Sequence, residues 1–242
     1  MKKEPNQSVN AFNQDAIENK GYLYSTNAPL SSRIANKRLS EITLEIVTLN
    51  DKTVLDIGCG DGVMTIELFD KTHVKRLVGV DYAAQAVEIA KAKSGTRPIE
   101  FDVQNAYSLP YTAKSFDVAI LRGVLHHLDD PVIALREALR VATIVFVIEP
   151  NGYNLGLKFF EKFNRYHIEH HEKSYSPVYL EKEVKKMNGE VLQRKWAGFV
   201  PMFCPDWLAK IMKSIEPVIE FVPVIKHLGC AVFAFSASDI IR

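Results

Sequence analysis

The chain is poor in features that would mark it for secretion, for a membrane span or for nucleic acid. Its three cysteines, Cys59, Cys204 and Cys230, are an odd number with no C-x-x-C spacing, so no disulfide framework is expected and a reducing cytoplasm fits best. No stretch approaches the roughly 20 apolar residues of a bilayer-spanning helix. Residues 1–10 are polar and lack the apolar centre of a secretory signal. Thirty basic side chains against 29 acidic ones leave a formal net charge of +1, which offers no electrostatic footprint for nucleic acid. Repeats and low-complexity linkers are absent as well, so one continuous domain over 1–242 is expected.

What is present reads as an ordinary globular chain. Apolar residues make up 47% and charged residues 24% of the 242, enough for one full-size core. Residues 1–30 form a polar N-terminal arm, expected to be only partly ordered, with Tyr22 and Tyr24 as anchors. Beyond it Leu39, Ile42, Ile46 and Leu49 recur at helical spacing. Short apolar runs at 53–57, 77–81, 99–103, 116–121 and 144–148 then alternate with helix-period segments near 63–69, 83–93 and 132–141. Apolar strands separated by helices imply a parallel sheet covered on both faces. After Pro150 the rhythm changes. Helices are expected over 155–170 and 177–188, and strands over 190–199 and 229–235, a late pair able to form an antiparallel edge.

The strongest local signal is Val54-Leu55-Asp56-Ile57-Gly58-Cys59-Gly60-Asp61-Gly62, an apolar strand running into three alternate glycines. Backbone without side chains allows close approach to a ligand, or a turn of positive φ. A dinucleotide fingerprint needs G-x-G-x-x-G, but Val63 holds its third position, and no Lys-Ser or Lys-Thr follows as in a P-loop. Asp56 at the strand end suits a cationic ligand better than a pyrophosphate. A second apolar strand, Leu77-Val78-Gly79-Val80-Asp81, ends in a carboxylate about where a ribose diol is held in such sheets. That aspartate can equally cap the next helix.

Two further segments complete an ordered set: Asn105-Ala106-Tyr107-Ser108-Leu109-Pro110-Tyr111, and Ser115-Phe116-Asp117-Val118-Ala119-Ile120 leading into Val124-Leu125-His126-His127-Leu128. With these four motifs the chain resembles, over 52–151, the class I S-adenosylmethionine-dependent methyltransferases that act on small molecules or lipids. The resemblance implies an α/β fold: a Rossmann-like seven-stranded, mostly parallel sheet with helices on both faces and an antiparallel last strand. It makes 52–151 the cofactor-binding core, with S-adenosyl-L-methionine as cofactor and S-adenosyl-L-homocysteine as product. It sets Gly58 and Gly60 beside the methionine part of the cofactor, Asp56 near its ammonium, Asp81 on the ribose hydroxyls and Tyr82 over the adenine. Asn105 stands where the family usually has an aspartate that accepts from the adenine amino group; its carbonyl oxygen can still accept. Asp102 is the alternative if the register is shifted. Ala106 and Leu121 complete the cofactor-binding set. The family's Pro-Gly-Gly turn before the fifth strand is replaced by Val141-Ala142-Thr143.

Methyl transfer from a sulfonium is an in-line displacement, so alignment is the protein's main task, worth roughly 7–11 kcal/mol. A base for a hydroxyl acceptor adds about 10²–10⁴-fold. His126 and His127 lie just past the fourth strand. In similar small-molecule methyltransferases a histidine aligned with His127 acts with an N-terminal tyrosine, which makes His127 and Tyr24 (or Tyr22) the catalytic pair and oxygen the expected acceptor atom. The same histidine can instead be bonded to backbone to fix its loop. Arg122 and Arg33 are candidates for an anionic substrate or the cofactor carboxylate. His167 and His171 share a helix face, but no third ligand stands out, so no metal is assigned.

The 200–228 segment is an insertion between the last two strands, with an amphipathic run through Leu208, Ile211, Met212, Ile215 and Val218 and Asp206 as its expected N-cap. It reads as a helix on the core, as a lid whose Met202, Phe203 and Trp207 line an apolar acceptor pocket, or as a membrane-surface contact. Lys210, Lys213 and Lys226 are offset by Glu216 and Glu220, so charge gives little support to the last. The expected partner is a small-molecule or hydrophobic acceptor, not nucleic acid: Leu121-Arg122-Gly123-Val124 replaces the Asn/Asp-Pro-Pro-aromatic signature of amino-methylating DNA enzymes. The competing functions are a nicotinamide-dependent oxidoreductase, disfavoured by Val63, and a non-catalytic protein binding the same cofactor.

Overall fold

The structure is a computed structural model that describes residues 8–26, 28–154, 156–158 and 173–240. Two helices come first, α1 (Ser8–Asn19) and α2 (Leu30–Ile46). An alternating series follows: β1 (Thr53–Ile57), α3 (Val63–Lys71), β2 (Arg76–Asp81), α4 (Ala84–Ser94) and β3 (Ile99–Val103). Then come β4 (Phe116–Arg122), a 3₁₀ turn (Leu125–His127), α5 (Pro131–Val141) and β5 (Ala142–Pro150). The last part holds α6 (Pro177–Lys186), β6 (Gly189–Ala197), α7 (Asp206–Phe221), α8 (Pro223–Gly229) and β7 (Val232–Asp239).

The seven strands form one sheet in the order β3-β2-β1-β4-β5-β7-β6. β1 to β5 pair in parallel. β7 runs antiparallel to both its neighbours, β5 and β6. The sequence expectation of a reversed last strand holds, and β7 is inserted between β5 and β6. Pairing along seven residues of β5, from Ile144↔Ser238 to Pro150↔Val232, fixes that place. Neighbouring strand residues alternate between two apolar layers. Leu55, Val78, Leu121 and Val147 meet α5 and α6 on one face. Val54, Leu77, Ile120 and Phe146 meet Ile42 and Ile46 of α2 on the other. Burial on both faces is why the strands read as continuous apolar runs. Where the family's turn is missing, α5 ends at Val141 and β5 begins at Ala142.

The described part of the arm holds a helix, α1, whose Ala16 is fully buried, because Val9, Phe12 and Ala16 share one face towards the body. One expectation needs correcting. Asp206 does not cap α7; Pro205 occupies the cap position without a side-chain bond and Asp206 begins the helix. The 200–228 segment packs on α2, where Ser31 Oγ donates to the Met202 carbonyl at 2.9 Å and Arg38 pairs with Glu220 at 2.7 Å. Of the helix expected over 155–170 only 156–158 are described, and His167 and His171 lie outside the described residues.

Candidate active site

After β3 the chain crosses back to start β4 on the other side of β1, so β1 and β4 flank the topological switch point of the sheet. In open α/β sheets the ligand crevice lies there, beyond the strands' carboxyl ends. A cavity is found at that point, lined by Asp56 to Asp61 after β1, by Asp81 and Tyr82 after β2, and by Arg122 to Val124 after β4.

The glycine loop is built to expose backbone. The amides of Gly58 and Cys59 both donate to the Val80 carbonyl, at 2.7 and 3.0 Å, tying the loop to β2. Gly60 has φ of 54°, and a Cβ there would lie 2.6 Å from the Tyr22 ring. Gly62 serves packing instead: a Cβ there would meet the Ala90 methyl at 2.6 Å. Asp81 accepts from the Gly60 amide at 2.9 Å and from the Ala83 amide at 2.8 Å, but it does not cap α4: Ala83 holds the cap position without a side-chain bond.

Two charged groups sit deep in the cavity. Asp56 is buried and accepts from Thr65 Oγ1 at 2.5 Å. Burial pushes its carboxyl up in pKa, with Arg122 and Thr65 acting against that. Burial lowers the pKa of Arg122, with Asp56 opposing. Arg122 Nη1 is buried and has no hydrogen-bond partner among the described residues. The Cys59 thiol is pushed well up by burial and by Asp81, so it stays protonated and is no nucleophile.

The N-terminal arm closes the cavity from above the loop. Val9, Phe12, Tyr22 and Tyr24 all line it. Asp61, from the glycine loop itself, holds the arm: its Oδ2 accepts from the Tyr22 amide at 3.0 Å and from Ser25 Oγ, Thr26 Oγ1 and Lys93 Nζ at 2.7 Å each. Burial alone would raise the Asp61 pKa; Lys93 and these donors outweigh it and hold it below the usual carboxylate range. Sequence reasoning missed Asp61 and Phe12. The i, i+3, i+7 spacing of Val9, Phe12 and Ala16 was the available signal.

On the far wall, Glu149 at the end of β5 organises the 3₁₀ turn. It accepts from the amides of Val124 and Leu125 at 2.9 and 2.8 Å and lies 2.6 Å from His126 Nδ1. His127 projects into the cavity, its ring 3.8 Å from that of His126 and edge-on to Phe12 at 4.9 Å. His127 and Tyr24 thus share the cavity, as do Asn105 and Ala106. Asn105 Oδ1 accepts from the Tyr107 amide at 2.8 Å. The alternative, Asp102, is bonded to Val103 and Gln104 on β3 and is not among the lining residues. Tyr82 lies half-open at the mouth. Leu121 is fully buried in the core on the α5 side, and the cavity is met by the next residue, Arg122. No lining residue comes from 200–228.

The fold and the crevice together define an α/β protein with a cavity at a glycine loop, at the switch point of its sheet. Residues 55–144 match a family model described as a methyltransferase domain, so this part of the chain is similar to the S-adenosylmethionine-dependent methyltransferases. It is 34% identical over 97 residues to the demethylmenaquinone methyltransferase of Lactococcus lactis, a match covering 38% of this chain and 38% of that one. The chain spans under half the length of the first curated relatives it matches, 47% and 38%. Its fold resembles a Thermotoga maritima methyltransferase described as a possible histamine N-methyltransferase, with TM-score 0.69, 16% identity and coverage of 96% and 99%. It equally resembles the 4+2 cyclase SpnF, with TM-score 0.68, 17% identity and 98% of each chain covered. At such identities the likeness shows the fold alone.

Proposed function

We propose that this protein transfers a methyl group from S-adenosylmethionine to a small-molecule acceptor with apolar character, at oxygen. One observation carries this reading: glycine-loop backbone, the Asp81 carboxylate and an unpartnered Arg122 guanidinium nitrogen line one cavity that His127 also lines. These groups fit the cofactor. Asp56 would take its ammonium, Arg122 its carboxylate, Asp81 its ribose hydroxyls, and Asn105 with Ala106 and Tyr82 its adenine. The cofactor supplies a methyl on a positively charged sulfur, already activated for displacement. The chain's own work is alignment and exclusion of water by the arm, with Phe12 and Tyr22 over the glycine loop. His127 would take the proton of an acceptor hydroxyl, with Tyr24 orienting that oxygen.

A second reading follows from the cyclase likeness: the same cofactor fold turned to another reaction. Calorimetry with S-adenosylhomocysteine, followed by a screen of phenols, quinols and amines for its release from the methyl donor, tests both. The expected result is tight binding and release with hydroxylated acceptors. Binding without release across the panel supports the second reading, and no binding at millimolar ligand overturns both.

A further inference from the structure

The outer face of α7 and α8 differs from the rest of the surface. Trp207, Ile211, Ile215, Val218 and Phe221 recur at helical spacing on one side of α7, and all are exposed, Trp207 at 64% and Phe221 at 82%. Val224 and Leu228 of α8 continue the patch, exposed at 70% and 50%. An amphipathic helix normally turns its apolar stripe to the body. Here the body side carries buried Ala209 and Glu216, and the stripe faces solvent. Contiguous apolar patches of this kind mark a surface that meets something.

The direction of the charges decides what that is. Glu216 accepts from the Phe199 amide at 2.9 Å and pairs with Lys213. Glu220 accepts from Arg38 at 2.9 and 2.7 Å and from the Gly198 amide at 2.8 Å. Both glutamates that balance the lysines in the sequence are therefore turned inward. Lys210, beside the stripe, and Lys226, 5.9 Å over the Trp196 ring, have no acidic partner among the described residues. Lys226 shares a groove with Phe221, Arg194 and Lys195; the last two are held by Glu181 and Glu45. Trp196 Nε1 in that groove is buried without a partner among the described residues.

We propose that this face docks on an anionic lipid surface, the α7 stripe entering the headgroup–acyl boundary while Lys210 and Lys226 meet lipid phosphates. An exposed aromatic and aliphatic stripe with a basic flank is the physical requirement of an interfacial helix. A two-fold dimer through the same patch would bring the patch's unbalanced lysines from both copies to one interface, whereas an anionic bilayer complements them. The connection leaves the sheet at Ala197 and returns at Val232, which pairs with Pro150 at the carboxyl end of β5. The connection that carries this face therefore starts and ends at the carboxyl end of β5, the end of the sheet at which the cavity lies.

Flotation of the full chain with phosphatidylcholine vesicles, with and without phosphatidylglycerol, tests this. The protein is expected to float with the anionic vesicles only. Val218→Asp combined with Phe221→Asp should abolish flotation, since both side chains are solvent-exposed and the thermal melt should stay unchanged. Lys210→Gln and Lys226→Gln should each lower the partition coefficient about fivefold. No flotation with anionic vesicles, equal flotation with neutral ones, or indifference to the aspartates overturns the proposal. So does a dimer in sedimentation velocity that the aspartates dissociate, which gives the face to a second copy. Methyl donor takes no part in the readout, so failure here leaves the proposed reaction untouched.

Discussion

Glu149 and His126 are joined twice: the carboxylate Oε2 lies 2.6 Å from the ring Nδ1 and 3.2 Å from the backbone amide of the same histidine. With the Val124 and Leu125 amides on Oε1, four donors converge on one carboxylate that is 1% exposed. Glu149→Gln puts an NH₂ against one set of these donors. Leaving buried donors unsatisfied costs about 1–3 kcal/mol, readable as a lower urea midpoint with unchanged slope. Turnover should fall as well, because the turn that carries His127 loses its anchor. An unchanged midpoint would show that the carboxylate does not organise the turn.

His127→Ala separates chemistry from binding. If the imidazole takes the acceptor proton, turnover should drop about 10²–10⁴-fold, with S-adenosylhomocysteine affinity nearly unaltered in calorimetry. Tyr24→Phe should show a smaller loss in the same direction. Loss of affinity with an intact rate would assign His127 to loop structure instead.

Arg122 makes a prediction that distinguishes one end of the cofactor from the other. Arg122→Gln should weaken S-adenosylhomocysteine binding by about 1.5–3 kcal/mol, the range for a hydrogen bond to a charged group. Affinity for 5′-methylthioadenosine, which lacks the amino-acid carboxylate, should remain as in the parent. Equal losses for both ligands would place the arginine's role elsewhere.

Asp61 ties stability to pH. Its folded pKa lies below the ordinary value of 3.8, so its contribution is fully present above that value and is lost as pH falls through the lower folded value. Asp61→Asn should therefore destabilise the protein by about 1–3 kcal/mol at neutral pH. The gap to the parent should close on acidification below pH 3.8. The same variant should bind cofactor more weakly and expose the arm to limited proteolysis. A gap that persists in acid would exclude the ion pair with Lys93 as its source.

Within the sheet from β1 to β5, β1, β2, β4 and β5 were legible because they are mostly buried on both faces, and the edge strand β3 because it is short and bounded by turn residues. That Gly58, Gly60 and Asp81 meet at one cavity was legible because they stand at strand ends and act through local backbone geometry. Leu121 was not placed correctly, because a one-residue step along a strand reverses the face and sequence gives no phase at the strand end. The helix in the arm was hard to see because Val9, Phe12 and Ala16 are separated by mostly polar residues, and Ile17, the other large apolar residue, is exposed. The inward turn of Glu216 and Glu220 depends on contacts with Arg38 and Phe199, distant in sequence. Summed charge along α7 therefore concealed that Asp206, in its first turn, is its exposed acidic residue.

The latch on the arm is a carboxylate of the glycine loop itself. Arm and loop are fastened to each other through the Tyr22 amide and the Ser25 and Thr26 hydroxyls, so a substitution that shifts either segment is transmitted to the other.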